Sequence, residues 1–254
     1  MFSTHAFSAS MALTVASLPI PAIPDQILNV SGNNYVVAKQ NILIGGFAVL
    51  GAAIVLNYAR VVSPSFRKTT PQMITPINTG LFAPDPALHT IDSWQSRALQ
   101  INEQVGIEAG GAIVAIGQKA VLIWLADTEI KETYGAIIEA RFQVTVVQAV
   151  NAWTLSTAFT FMDVLPVGAY NIVGCDLVAA GAVAARLVIT SQTPRPGFIP
   201  RQLPTTGQYQ PTFRRGRLGI WGSFIQDQVP QLEILGSVAA GSATYEGVMD
   251  LMPA

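Results

Sequence analysis

The chain repeats itself. Ala59-Arg60-Val61-Val62 returns as Ala185-Arg186-Leu187-Val188, and Pro76-Ile77-Asn78-Thr79-Gly80 returns as Pro204-Thr205-Thr206-Gly207. Trp94 returns as Trp221, Ile101-Asn102-Glu103-Gln104-Val105 as Ile225-Gln226-Asp227-Gln228-Val229, and Ile107-Glu108 as Leu232-Glu233. Upstream, Gly45 through Ala53 resembles Gly174 through Ala182. The order is kept, and the offset stays near half of the 254 residues. Self-similarity at a fixed offset marks a duplicated unit, and the length allows each copy its own core. The spacing predicts a first unit over 26–128 and a second over 129–254. Residues 1–25, with Pro19, Pro21 and Pro24, read as an extended N-terminal arm.

The pattern within each copy is that of strands. Trp153 to Phe161 alternates large apolar and small polar residues, the period of a half-buried strand. Phe142 to Val147, Ala120 to Leu125 and Ala185 to Thr190 read as further strands. Sixteen prolines break long helices, leaving room for short ones over 92–103 and 129–140. Gln40 to Ala59 is uncharged and long enough to span a bilayer. Its counterpart in the second copy contains Asp176, however, and a charge at a bilayer centre costs about 2.5–3.5 kcal/mol. Two buried strands joined near Gly51 are therefore expected. The fold class predicted is all-β: two tandem sandwiches, with short helices and the arm.

Catalytic chemistry is sparse. The two histidines, His5 and His89, are too few for a metal-holding double barrel, and no serine-nucleophile elbow, phosphate loop or dinucleotide fingerprint is present. Glu103 and Glu108, with their partners Asp227 and Glu233, flank the same repeated motif and read as structural. Leu203-Pro204-Thr205-Thr206-Gly207 has the form of a sortase signal, but the matching turn at Pro76 to Gly80 favours a simple turn. Cys175 has no basic neighbour and reads as an inert thiol. No enzyme, cofactor or metal is predicted.

The charge pattern points to association. Charged residues make up 11% of the chain, well under the roughly 25% usual in soluble domains, so much of the surface is expected to be covered. Residues 177–226 hold no acid but six arginines, Arg186, Arg195, Arg201, Arg214, Arg215 and Arg217. Arginine makes forked contacts with carboxylate and phosphate. Arg195, Arg201, Arg214, Arg215 and Arg217 are candidates for subunit contact. Phosphate contact, and with it nucleic acid, is the less favoured reading because the net charge is −1. Trp94 and Trp221, at equivalent places, are candidate aromatic contacts.

A tandem of two small β-sandwiches with low charge, an arm and no catalytic constellation resembles the double jelly-roll major capsid proteins of icosahedral viruses. The likeness is architectural and rests on no specific signature. It implies two jelly rolls of eight strands each and a homotrimer with a pseudo-hexagonal outline. It further implies assembly into a virion shell, in contact with other virion proteins or an internal membrane. Two rival readings stand beside it: a duplicated carbohydrate-binding module that uses the tryptophans as a platform, and a membrane-anchored structural protein that uses Gln40 to Ala59.

Overall fold

The computed structural model describes residues 1–24, 34–50, 57–66, 72–74, 76–77, 97–201, 213–236 and 242–254. It divides into two compact units. One is Thr4–Glu129; the other is Ile130–Ala254 together with Met1–Ser3. Both are built of strands, in four sheets that form sandwich-like pairs, and the described residues contain no α-helix.

Among the described residues the N-terminal unit has ten strands: β1 (Phe2–Leu13), β2 (Leu18–Ile20), β3 (Tyr35–Val37), β4 (Ile42–Val49), β5 (Tyr58–Val62), β6 (Gln72–Ile74), β7 (Pro76–Ile77), β8 (Arg97–Ala98), β9 (Gln104–Gly110) and β10 (Val114–Ala126). One sheet runs β1-β10-β4-β7, with β8 also on β4; the other runs β2-β9-β5-β6, with β3 also on β9. The ladders are antiparallel apart from the two-residue pairing of β4 with β7. Phe7, Leu43, Val121 and Ile123 from the first sheet meet Ile20, Val61, Val105 and Ile107 from the second in one buried cluster.

The described residues of the C-terminal unit form nine: β11 (Ile138–Val147), β12 (Thr157–Ala158), β13 (Thr160–Phe161), β14 (Ala169–Val178), β15 (Ala182–Val188), β16 (Gly197–Phe198), β17 (Gly222–Ile225), β18 (Gln231–Gly236) and β19 (Ser242–Pro253). Its sheets run β13-β11-β19-β14-β17 and β12-β18-β15-β16. Phe142 packs edge-on against Phe159 at 4.4 Å, and Phe224 stacks on Phe161 at 6.1 Å.

The two units connect their strands alike. In each, the first long strand pairs with the last (β1 with β10, β11 with β19) and the second with the one before last (β2 with β9, β12 with β18). Inside these, β4 pairs with β7 and β8 as β14 does with β17, and β5 pairs with β6 as β15 does with β16. The Ala-Arg echoes and the Ile-Glu and Leu-Glu echoes fall on equivalent rungs. Arg60 lies opposite Glu108 and Arg186 opposite Glu233. A register shift just before Gly45 in β4 recurs just before Gly174 in β14. A bulge of this kind leaves one residue unpaired and adds twist.

Three expectations are corrected. Residues 1–24 are not a free arm. They form β1 and β2, and Ala6, Phe7, Leu13, Ile20 and Ala22 are buried. The prolines fit because Pro19 sits on an edge strand, where a missing N–H costs nothing. The short helices are absent among the described residues. Arg97–Ala98 is a strand, and Ile138–Ala140 opens β11, where alternation buries Ala140, Phe142 and Val144 against the core and overrides helix propensity. The single strand expected over Trp153 to Phe161 is broken into β12 and β13, which belong to different sheets. Phe159 turns into the core between them while Leu155 is left 90% exposed. Gln40 to Ala59 contains β4 and the start of β5, with 51–56 outside the described residues. No described helix is long and apolar enough to cross a membrane.

Candidate functional site

The described segments around Arg201 and around Phe213 to Gly216, here called the strap, lie against strands of the C-terminal unit. Neighbouring strands β14 and β19 carry Asp176 and Asp250, and the strap brings arginines to both. Arg201 reaches Asp176 with Nε to Oδ1 at 3.0 Å and Nη2 to Oδ2 at 2.7 Å. Its backbone also bonds to Leu177 and Ala179, which fixes the strap against the end of β14. Arg214 makes a forked contact with Asp250, both bonds 2.7 Å. The Arg215 N–H donates to the same carboxylate at 2.6 Å. Charge-assisted forks of this geometry are among the stronger protein hydrogen bonds.

Glycine admits the strap. A Cβ on Gly174 would lie 2.8 Å from Arg214 Cα and 2.9 Å from the Phe213 carbonyl oxygen, so the strap rests on bare backbone there. Gly216 takes a φ of +74°, and its N–H and C=O bond to Val173 and Thr133. Phe213 is buried and packs near Phe198 at 6.4 Å.

A second cluster lies on β15 and β18. Glu233 accepts from Arg186 Nε at 2.6 Å and from Arg195 Nη1 at 2.8 Å. The Arg186 guanidinium also sits 4.1 Å over the Trp153 ring, a cation–π contact that gains strength out of water. The equivalent pair in the N-terminal unit, Arg60 and Glu108 at 2.6 Å, is half-exposed, and Ser17 also donates to that glutamate.

Most of the predicted cationic surface is therefore internal. Arg195, Arg201 and Arg214, expected as candidates for subunit contact, bind carboxylates of their own unit, with side chains 16%, 25% and 5% exposed. Arg215 is 63% exposed and contacts Glu139 at 3.4 Å, and Arg217 is exposed. Beside them, the Glu132 carboxylate accepts from the Tyr134 hydroxyl and raises its pKa. Trp221 is not a contact platform. It is fully buried against Phe2, edge-on at 5.4 Å, and Phe198. Trp94, His89 and the turn at 203–207 lie outside the described residues.

Comparison with family models, curated proteins and solved structures finds no match. The geometry alone bears on function. Glu103 has structural partners: it accepts from the Ser65 hydroxyl and the Gln100 N–H. Its burial raises the pKa, but hydrogen bonds from Ser65 and Ser63 and from the Gln100 and Ser65 backbone outweigh this and hold it below the ordinary 4.5. Cys175 is buried, and burial pushes its thiol well above the ordinary value, as suits an inert residue. No group of metal-ligating side chains occurs among the described residues. Sequence reasoning missed the strap's partners Asp176, Asp250 and Glu139. The absence of acids from 177–226 was the available signal, since such a stretch has to find its carboxylates elsewhere.

Proposed function

We propose that each unit is a jelly roll and that the chain is a capsid protein, assembling through trimeric capsomers into an icosahedral virion shell. The observation that carries this reading is the nested pairing, first strand with last, second with second-last, third with sixth and fourth with fifth, distributed over two facing sheets in both units. A long hairpin wound into two sheets is the plan of a jelly roll. Two such units in one chain give a trimer six similar corners. The scarcity of charge fits a surface covered by sister copies. Interfaces of obligate complexes run to 2,000 Å² and beyond, and closure of a shell adds multivalent gain. The burial of Trp221 weighs against a carbohydrate platform at that position.

The test is light scattering and negative-stain imaging of the purified full chain. Trimers or closed particles support the reading, and a persistent monomer overturns it. Arg215 and Arg217 are the predicted cations left on the surface. Arg215→Ala with Arg217→Ala should lower particle yield while the unfolding midpoint stays put. Unchanged yield removes them from the interface.

A further inference from the structure

Among the described residues β17 is an outermost strand: β14 covers one edge and no described strand covers the other. Gln226 N donates to Gly168 O across that ladder at 3.1 Å. Hydrogen-bonded pairs alternate along an antiparallel ladder, so Phe224 turns its peptide groups to β14 and Ser223 and Ile225 turn theirs outward. Such an edge is a template for a strand of another molecule. A groove of about 340 Å³ opens there, lined by residues that include Thr190, Ser191, Gln192, Ser223, Phe224 and Ile225, none of them charged.

Both outward carbonyls are already taken. Gln192 Nε2 donates to Ser223 O at 3.1 Å, and Gln228 N donates to Ile225 O at 2.8 Å. The turn after β15 aims Gln192: its N–H bonds to Ile189 O at 3.1 Å, and Ser191 takes a φ of +64°. Gly222 makes the room, since a Cβ there would lie 2.2 Å from Gln192 Oε1. A glycine beside an inward-folded amide on a sheet edge is the arrangement of a cap.

We propose that Gln192 guards the β17 edge. Its amide occupies the acceptor that an added strand needs, and so keeps a second copy of this chain from pairing there. The test uses full-length Gln192→Ala beside the wild-type chain at matched concentration. Light scattering should shift to larger species than the wild type forms, and hydrogen exchange should slow at the Ser223 and Ile225 amides. Adding Ser223→Pro removes the outward N–H and leaves the backbone ladder to β14 in place, at the loss of the Ser223 hydroxyl's bond to Asn171; proline is tolerated at such an edge position, and the change should restore the wild-type size distribution. A Gln192→Ala distribution identical to wild type overturns the proposal, and so does a larger species that survives Ser223→Pro. The readout is the increment over wild type, so it stands whether or not the chain builds a shell.

Discussion

Glu108→Gln and Glu233→Gln remove the same carboxylate from equivalent rungs of two ladders, and the surroundings make their costs differ. In the N-terminal unit the Arg60 and Glu108 side chains are 31% and 30% exposed. Pairs open to water contribute about 0–1 kcal/mol, because solvent screens the attraction and re-solvates the partner left behind. In the C-terminal unit Arg186 and Glu233 are 2% and 9% exposed, and Arg195 is a second cation on the same carboxylate. Glutamine at 233 removes the carboxylate that one fully buried and one mostly buried guanidinium share. Breaking such a contact from one side costs about 3–5 kcal/mol. The expectation is thus a several-fold larger loss for Glu233→Gln than for Glu108→Gln. Urea unfolding measures both, from the midpoint shift and the slope. Tryptophan fluorescence reports on both units, since Trp124 is buried in the N-terminal one and Trp153 and Trp221 lie in the C-terminal one. Equal losses would refute the argument that burial, and not the contact itself, sets the cost.

Gly174→Ala should cost about 1–3 kcal/mol, the usual range for overpacking, because the atoms met at 2.8 and 2.9 Å are strap backbone and cannot swing aside; an unchanged urea midpoint would show that the strap is not seated there. Glu103→Gln should destabilise at neutral pH, with the difference from wild type shrinking in acid. The folded carboxyl titrates below 4.5, so its contribution is complete above that value and fades as pH falls through the lower folded pKa. A pH-independent difference between the two chains would count against it.

What was legible in the sequence is what local pattern encodes. The Ala-Arg-Val-Val echo and the Ile-Glu and Leu-Glu echoes marked a duplication, the apolar run from Ala185 to Thr190 marked β15, and the structure sets the echoes' arginines and glutamates face to face. The alternation at Phe142 to Val147 marked β11. The fate of the arginines was not legible, because Arg201 and Arg214 meet acids 25 and 36 positions away on other strands. Pairing across a sheet depends on register, which composition does not carry. The break at Phe159 escaped for the opposite reason. Its period of two is sound, but the segment passes from one sheet to the other, and alternation says nothing of which sheet a strand joins.

Retention of one Arg–Glu rung in both units calls for a cause other than raw stability. The half-exposed pair adds little, and apolar residues of similar volume often replace a buried one without loss. Register is what both pairs have in common. Ala59 and Val61 flank Arg60 and point into the core, as Val105, Ile107 and Ala109 do around Glu108. A slip of one residue would carry Arg60 inward and bring an apolar side chain out. The charge cannot follow into an apolar core without a carboxylate, so the slipped pairing is penalised far more than the native pairing is rewarded. Arg186, between Ala185 and Leu187, is itself buried opposite Glu233, so a slip there would part a buried charge from its carboxylate. In two short ladders rich in alanine and valine, whose interchangeable side chains define register weakly, one opposed pair of charges per unit makes the alternative expensive.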